Sequence, residues 1–303
     1  VFGNIDYAIA SQTTISLGVR WERWTSTYSD TLGEFFSPSD RMLGGKLSLR
    51  TELNEFANVY AAVARGYKSG GFNLGTGIQG VERLNDLIYD PEYLWNYEIG
   101  TSVLSPNSNL LIEAVVFWSD RENQQVLISK QLDPNNPTTF QYLTQNAASG
   151  KNYGTEMNLR AKFTDEISLF AALGLLKTEI RHHQSRSELE GRRQAHAPAK
   201  SYSFGIRWKA SEQFHLSMDL SGKSDFYYSD SHTEKSKSYT LINFFLGYRH
   251  KDWVYEFWVR NLFDRYYSVR GFYFGNEPPN FPSTLYQRQG DPRHLGILVR
   301  YEF

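Results

Sequence analysis

The stretch Arg293–Phe303 reads RHLGILVRYEF and alternates between two kinds of side chain. Every second position holds an apolar or aromatic residue, and these are Leu295, Ile297, Val299, Tyr301 and Phe303. The positions between them hold His294, Gly296, Leu298, Arg300 and Glu302. Because successive side chains of a strand point to opposite faces, this pattern predicts a β-strand with one apolar face. Such a strand suits a soluble sheet or the wall of a membrane barrel.

The composition excludes several classes of protein. A net charge of -1 in 303 residues gives no bulk field that would attract nucleic acid. The absence of cysteine excludes disulfides and cysteine-ligated metal sites, and no run of about 18 apolar residues predicts a transmembrane helix. The mean hydropathy of -0.51 does not argue against a membrane protein, since barrel strands alternate apolar and polar residues.

Strand-like patterns of the same kind recur along the whole chain, and no segment has a convincing helical period. In the clearest example, Tyr202, Phe204, Ile206 and Trp208 alternate with Ser203, Gly205, Arg207 and Lys209. The sequence predicts about thirteen strands. They cover roughly 2–10, 13–28, 42–52, 56–68, 91–104, 109–122, 147–163, 166–181, 199–210, 213–227, 238–249, 252–263 and 293–303.

The connections between these strands alternate between short and long. The short ones lie near residues 11–12, 53–55, 105–108, 164–165, 211–212 and 250–251. The long ones lie near residues 29–41, 69–90, 123–146, 182–198, 228–237 and 264–292. Tight turns at one end of the strands and long loops at the other are typical of a transmembrane barrel, whereas a soluble Greek-key sandwich has no such asymmetry. The pattern therefore predicts an all-β, antiparallel, up-and-down barrel wall.

The charged residues of the predicted strands fall on the polar face. A soluble sheet would turn this face to water, whereas a membrane barrel would turn it to a wet lumen and the apolar face to lipid. We expect the concave face to carry Glu98, Glu156, Arg160, Arg207 and Arg260. We expect the convex face to carry Tyr97, Met157, Phe204, Trp208 and Phe257. Outward aromatics near strand ends fit interfacial girdles, and these are Tyr93, Trp95, Tyr153, Trp208 and Trp253.

Five short motifs carry a resemblance to a known family. They are VARGYKSGGFN at 63–73, PEYLWNYEIG at 91–100, GTE at 154–156, NLFDRYY at 261–267 and VRYEF at 299–303. In this order they resemble the TonB-dependent outer-membrane receptors, and the terminal phenylalanine is similar to the closing signature of outer-membrane barrels. The matching motif residues are Arg65, Gly66, Glu98, Glu156, Asn261, Asp264 and Phe303.

The resemblance implies an active importer of siderophores or similar scarce nutrients in the bacterial outer membrane, energised through TonB. It implies a barrel of about 22 strands with a plugged lumen. No stretch here is similar to the plug or the TonB box, so we expect residues 1–303 to be the C-terminal portion of such a barrel. The implied partners are the TonB complex through the missing N-terminal region, a siderophore or other small nutrient, outer-membrane lipid and lipopolysaccharide, and the β-barrel assembly machinery, with no nucleic acid.

Two other classes of protein stay open at this point. One is a passive porin-like diffusion barrel of about 14 strands, since single-chain bacterial barrels have even strand numbers. The other is a secreted soluble β adhesin. The porin alternative is distinguished by whether upstream sequence encodes a plug, and the adhesin by whether extraction needs detergent.

Aromatic and basic residues at the predicted outer strand ends are candidate ligand contacts, because a flat chelate binds to aromatic rings and a few cations. These residues are Phe72, Tyr89, Arg181, Tyr227, Tyr228, Tyr267, Arg270 and Tyr273. Ordinary loop and girdle packing is the alternative role for them.

Catalytic and metal sites are poorly supported. His215 and Ser217 share a predicted face, but two residues on one strand do not make a catalytic triad. His182 and His183 are adjacent, so on an extended chain they point in opposite directions and rarely share a metal. The nearby arginines suit an anionic ligand, lipopolysaccharide phosphates or solvent, and they are Arg181, Arg186, Arg192 and Arg193. The sequence predicts no enzyme, no cofactor and no metal.

Overall fold

The computed structural model describes residues 1–29, 31, 35–73, 87–131, 140–183, 186–230, 232–275 and 277–303. Parts of all six predicted long connections lie outside these residues. Within the described residues the one helical segment is the short 3-10 turn Ser187–Leu189. No helix in this part of the chain is long and apolar enough to cross a membrane.

Nineteen strands among the described residues are numbered here in chain order. Thirteen of them form one sheet: β1 (Phe2–Ala10), β2 (Thr13–Thr25), β5 (Ser39–Asn54), β6 (Ala57–Lys68), β9 (Glu92–Leu104), β10 (Leu110–Gln131), β11 (Phe140–Lys162), β12 (Ile167–His183), β13 (Lys200–Lys209), β14 (Phe214–Lys223), β15 (Tyr239–His250), β16 (Trp253–Arg260) and β19 (His294–Tyr301). The other strands form the small pairs β3 (Tyr28–Ser29) with β4 (Phe35–Phe36), β7 (Gly71–Phe72) with β8 (Ile88–Tyr89), and β17 (Ser268–Phe274) with β18 (Thr284–Gln289).

Each strand of the large sheet pairs with its sequence neighbours in that sheet, and every pairing is antiparallel. The prediction of an up-and-down meander of about thirteen strands is therefore confirmed. β1 and β19 lie at the two edges of the sheet, as expected for 2–10 and 293–303. In the described chain each of these strands has a partner on one side only.

The alternation of short and long connections is also confirmed, with one correction. The predicted loop 123–146 is mostly strand, because β10 and β11 continue as a hairpin with pairing out to Gln131 and Phe140. A register shift between Arg121 and Gln125 interrupts this hairpin, and Asn123 there has a φ of 53°. The bulge lies where the apolar alternation of the sequence ends, and this is why the sequence pattern indicated a loop.

The register separates the predicted charged and apolar sets onto opposite faces. Residues paired across antiparallel strands share a face, and Glu98 pairs with Phe117, which pairs with Gly154 two residues from Glu156. In the next row Tyr97, Trp118 and Tyr153 pair in turn. The same reasoning through β12 to β16 puts Arg160, Arg207 and Arg260 with the charged set, and Met157, Phe204, Trp208 and Phe257 with the apolar set. That the charged face is concave stays a prediction.

The apolar face is exposed in the middle of the strands and aromatic at their ends. Ile99 and Val116 are 63% and 64% exposed, which a soluble protein of this size would avoid over so large an area. Near the short turns, the Phe214 and Tyr248 rings stack with centroids 4.4 Å apart, and the Trp253 and Tyr301 centroids are 5.1 Å apart. This distribution fits a hydrocarbon band with an interfacial aromatic girdle.

The polar face carries ion pairs. Aromatic side chains on this face also pack against glycines of neighbouring strands. Lys46 Nζ lies 3.8 Å from Glu98 Oε1 across the alanines of β6. The Phe170 ring covers Gly205 on the next strand, so closely that a Cβ there would lie 2.1 Å from a ring carbon. Buried apolar residues concentrate at the long-connection end, and they include Phe36, Leu87, Leu143, Leu189, Phe226 and Tyr228. Much of the core therefore lies in the packed loops rather than behind the sheet.

The assignment of side chains to the two faces of the sheet gives a first prediction. It can be tested with introduced cysteines, because residues 1–303 contain none. Spin labels at Met157→Cys and Glu156→Cys, introduced one at a time into the full-length protein in bilayers, should report different solvents. Label 157 should collide mainly with dissolved oxygen and label 156 mainly with a water-soluble nickel complex, because neighbouring side chains point to opposite faces. Equal accessibility at both positions, or the reverse order, would contradict the proposed facing.

Candidate functional site at the long-connection end

The buried carboxylate of Glu92 joins three segments at the long-connection end of the sheet. Its Oε1 accepts a hydrogen bond of 2.9 Å from Arg121 Nε, and its Oε2 accepts one of 2.9 Å from the Gln125 backbone N–H. Gln125 Nε2 then donates to the backbone oxygens of Ser69 and Asp90. Glu92 is 6% exposed, so these bonds stabilise a charge that would otherwise be costly to bury.

The aromatic candidate Phe72 is used in packing. Its ring meets the Phe36 and Tyr28 rings edge-on, with centroids 5.1 and 5.7 Å away. The next residue, Asn73, bonds to β11 through its side chain, donating to Thr144 O at 2.9 Å and accepting from Thr144 N at 2.7 Å. Tyr89 lies across Gly71, where a Cβ would lie 2.5 Å from the tyrosine hydroxyl. Phe72 and Tyr89 therefore help to hold the described ends of this connection, residues 69–73 and 87–91, against the wall.

The other motif residues have structural contacts of different kinds. The Arg65 guanidinium lies 4.0 Å from the centre of the Tyr93 ring and donates to Leu43 O. Asn261 accepts a hydrogen bond of 2.7 Å from Arg265 N, and Asp264 accepts one of 2.8 Å from Arg293 N, so together they connect β16 to β19. Phe303 packs against Tyr301 and is otherwise exposed. Glu156 lies exposed on the polar face, and nothing in the structure explains Gly66.

The arginines at the end of β12 and after it contact other residues of the protein. Arg192 donates to Ser229 O, His232 O and Asp230 Oδ1, and Arg186 donates to Asp230 O. Arg193 forms a 2.6 Å ion pair with Asp225, and its guanidinium holds the pKa of that carboxyl below its usual range. Arg181 pairs with Asp120 at 3.1 Å.

Tyr227 lies among these cations, with the Arg192 guanidinium 4.3 Å and Lys235 Nζ 4.5 Å from its ring centre. His182 and His183 point to different environments, as the sequence predicted: His182 Nδ1 lies 3.0 Å from Glu190 Oε1, whereas His183 is 3% exposed. The described residues contain no group of three or more side chains that could hold a metal ion. The basic residues of this region therefore hold the loop after β12 against the loop after β14 through contacts within the protein.

The β17–β18 hairpin docks on these loops through one of its two faces. On that face Gly271 covers the buried ring of Tyr228, and Tyr273 donates a 3.1 Å hydrogen bond to Glu234. Burial and the Glu234 carboxylate raise the pKa of Tyr273. At the base of the hairpin, the Tyr267 ring lies 4.5 Å from the Tyr239 ring.

The opposite face of the hairpin carries two arginines and two aromatic rings, and we call it the Arg–aromatic face; the Tyr286 hydroxyl on it donates a 3.2 Å hydrogen bond to Glu277. Arg270 pairs directly with Arg288 across the two strands, and both are exposed. Phe272 and Tyr286, each two residues from one of these arginines, also pair across the strands, and their rings stack with centroids 6.0 Å apart. Within the described chain neither guanidinium forms a salt bridge, and like charges directly opposite each other destabilise a hairpin. The arrangement can therefore bind a flat anion, which would neutralise the cations and contact the rings.

The structure thus sorts the predicted ligand residues into two groups. Phe72, Tyr89, Arg181, Tyr227, Tyr228, Tyr267 and Tyr273 have packing or pairing contacts within the protein. Arg270 lies on the Arg–aromatic face, together with Arg288 and Tyr286, which the sequence analysis did not single out. The signal that could have found them is the run TLYQRQ at 284–289, in which Tyr286 and Arg288 are two residues apart and would therefore share one face of a strand.

Comparison with known families decides the identity of this wall. The family model described as "TonB dependent receptor-like, beta-barrel" matches residues 1–262, most of the chain. The chain belongs to the family of TonB-dependent receptor β-barrels. Members of this family are receptors and transporters of the bacterial outer membrane rather than enzymes, and this barrel wall accordingly lies in that membrane.

Similar proteins agree with this membership. The chain is 20% identical over 311 residues to the probable TonB-dependent siderophore receptor PiuA of Acinetobacter baumannii, covering 97% of this chain and 39% of PiuA. It is 23% identical over 317 residues to the pesticin receptor of Yersinia pestis, covering 100% of this chain and 43% of that receptor. The chain therefore spans less than half the length of these curated relatives.

Solved structures show the same fold at low sequence identity. The ferric yersiniabactin uptake receptor FyuA of Yersinia pestis superposes with a TM-score of 0.81 at 18% identity, covering 100% of this chain and 45% of FyuA. The siderophore receptor PiuA superposes with a TM-score of 0.75 at 18% identity, covering 97% of this chain and 41% of PiuA. The agreement over nearly the whole chain confirms the predicted antiparallel barrel wall.

The Glu92 network gives a second prediction. In the full-length protein, Glu92→Gln should loosen residues 69–73 and 87–91 and the bulge at 121–125, because Arg121 loses its buried anionic partner. Breaking a buried ion pair costs about 3 kcal/mol or more, so amide exchange in these segments should be at least about tenfold faster. Hydrogen-exchange mass spectrometry measures this directly. The control is Glu122→Gln, an exposed neighbour; equal effects of the two substitutions would contradict the assigned role of Glu92.

Proposed function

We propose that this chain is the C-terminal portion, residues 1–303, of an outer-membrane receptor that imports siderophores or similar scarce nutrients with energy supplied through TonB. The family membership and the siderophore-receptor relatives support this function. The share of each relative that the chain covers, together with the two free edges of the sheet, supports the view that further strands complete the barrel.

The observation that carries the ligand proposal is the Arg–aromatic face of β17–β18. Arg270 and Arg288 repel each other, so an anionic ligand between them removes an unfavourable interaction as well as adding two charge-assisted hydrogen bonds. The Phe272–Tyr286 stack beside them offers a flat apolar contact. A metal chelate with negatively charged oxygens and planar rings has the matching chemistry.

The remaining predicted ligand residues support this face in our proposal. Tyr228 and Tyr273 fix the orientation of the hairpin, and Tyr227 with its cations holds the loop to which the hairpin is docked. Phe72, Tyr89 and Arg181 hold the neighbouring connections. Ligand contacts from other parts of the full receptor would complete the site.

The barrel wall acts as scaffold and conduit in this proposal, and no step breaks or forms a covalent bond. The chelate binds outside at the long connections, and TonB acts through an N-terminal region beyond this chain. The β-barrel assembly machinery inserts the protein, and lipid and lipopolysaccharide surround it.

The ligand proposal makes a third prediction. In the full-length receptor, Arg270→Gln/Arg288→Gln should weaken binding of a ferric tris-catecholate, which is trianionic, and slow the uptake of radiolabelled iron from it. Each charge-assisted contact contributes about 1.5–3 kcal/mol, so the loss of both should exceed about 100-fold in affinity.

The matched control is Arg249→Gln/Arg300→Gln, which removes two cations that pair with Glu302 at the short-turn end. This control should leave affinity unchanged. A neutral ferric tris-hydroxamate, measured in parallel, should bind more weakly to the unsubstituted receptor. Affinity for the trianionic chelate that is unchanged in Arg270→Gln/Arg288→Gln would overturn the assigned ligand face.

A further inference from the structure

His232 lies in the loop after β14, at the point where the β17–β18 hairpin docks on that loop. Its ring meets the Tyr273 ring of β17 edge-on, with centroids 5.2 Å apart and an interplanar angle of 79°. Its Nδ1 accepts a hydrogen bond of 3.3 Å from the Glu234 backbone N–H. Glu234 Oε1 in turn accepts the hydrogen bond from the Tyr273 hydroxyl. His232 therefore contacts both partners of a hydrogen bond that holds the hairpin on the loop.

The same loop supplies a second contact to the docked face of the hairpin. The Tyr228 ring is 3% exposed and packs against Gly271, where a Cβ would lie 2.6 Å from a ring carbon. Gln287 Nε2 on β18 lies 3.4 Å from the Tyr228 hydroxyl. Side chains from one short loop thus contact both strands of the hairpin, so a change in one of these side chains can shift the docking equilibrium.

Charged and titratable groups surround His232 on three elements, which are the loop after β12, its own loop and β17. Arg192 of the first loop donates a 2.8 Å hydrogen bond to the backbone oxygen of His232, and it pairs with Asp230 at 3.2 Å. The groups around His232 are Arg186, Arg192, Asp230, Glu234 and Tyr273. Two cations therefore lie on one side of the imidazole, and one carboxylate lies between it and the hairpin.

A proton on the imidazole would disturb this arrangement for reasons of geometry. The Glu234 N–H would lose its acceptor, because a protonated Nδ1 is a donor and two donors would then point at each other. Nε2 is buried, so water cannot solvate the charge on that side of the ring. Burial lowers the pKa of His232; the Gly271 backbone and Glu234 oppose this effect, and Arg192 and Arg186 add to it.

We propose that His232 is a positioning residue for the Arg–aromatic face, and that protonation of its ring releases the β17–β18 hairpin from the loop. This inference rests on the proposed ligand role of that face. The neutral ring keeps Tyr273 and Glu234 in contact, and the docked hairpin gives Arg270 and Arg288 a fixed orientation. In an acidic medium the charged ring favours the released hairpin, in which the two arginines no longer have a fixed position.

The direction of the pH dependence follows from which state binds the proton more tightly. The pKa of His232 is lowered in the docked hairpin, whereas the released ring titrates near the ordinary value of about 6.5. Docking is therefore strongest above about pH 6.5 and weakens as the pH falls below that value, until the docked ring is itself protonated. One released histidine can shift the equilibrium by at most about tenfold between pH 7.5 and 5.5.

Hydrogen-exchange mass spectrometry of the full-length receptor, without ligand, measures this shift. The Tyr228 and Ser236 amides bond within the loop under the hairpin, to the backbone oxygens of Glu234 and Phe226. Their protection, corrected for the intrinsic exchange rate at each pH, should fall by at least about threefold from pH 7.5 to 5.5, because release of the hairpin exposes the loop.

Two substitutions at His232 remove the titration in different ways. His232→Asn keeps a hydrogen-bond acceptor near the position of Nδ1, and His232→Phe keeps a ring against Tyr273. In each variant protection should change by less than about twofold over the same pH range, whatever its value at pH 7.5. The matched control is His182→Gln, which removes an exposed histidine of the same region and should keep the full pH dependence.

Three results would overturn the proposal. They are protection that does not change with pH in the unsubstituted receptor, a pH dependence that survives in both His232 variants, and one that is lost in His183→Gln, a substitution of the buried histidine at the end of β12. No ligand is present in this experiment. Its outcome is therefore separate from the binding test of Arg270→Gln/Arg288→Gln, and failure of one proposal is distinguishable from failure of the other.

Discussion

The structure depends on one constraint, which is that a backbone inside hydrocarbon must satisfy its own hydrogen bonds. An unpaired N–H or C=O group there costs several kcal/mol, so only helices and closed barrels cross a bilayer. The eleven inner strands of the large sheet meet this requirement on both sides, whereas β1 and β19 meet it on one side only. The free edges are the physical reason for proposing that further strands of the same protein close the barrel.

The alternation of side chains along the strands gives the sheet an apolar face and a polar face, and the long connections lie at one end of the strands. The apolar face exposes residues such as Ile99 and Val116, which only lipid would cover over such an area. The polar face carries ion pairs, and its Phe170 ring packs against Gly205. The long connections supply much of the packed core, and Glu92 and the Arg193–Asp225 pair hold them in place. Because most charges there are already paired, Arg270 and Arg288, which form no salt bridge within the described residues, are the ligand contacts that we propose.

Local sequence patterns were enough to predict the strands of the large sheet, because the alternation of a strand with one apolar face is visible within about ten residues. The thirteen strands, their order and the separation of Glu156 from Met157 follow from alternation alone. The extension of β10 and β11 was missed because a bulge near Asn123 breaks the alternation. The pairing of Arg270 with Arg288 was missed because it joins residues from two ends of one long connection. The role of Arg192 depends on atoms more than thirty residues away, which no local pattern contains.

The proposed barrel predicts how far apart the two edges of this chain lie in the complete receptor. Spin labels at Ile5→Cys on β1 and Ile297→Cys on β19 can be measured by double electron–electron resonance in bilayers. If about nine further strands lie between these edges, the labels should be about 40 Å apart, close to the diameter of a barrel of about 22 strands. A distance below about 15 Å would mean that β1 pairs with β19 and closes a small barrel, and it would contradict the account.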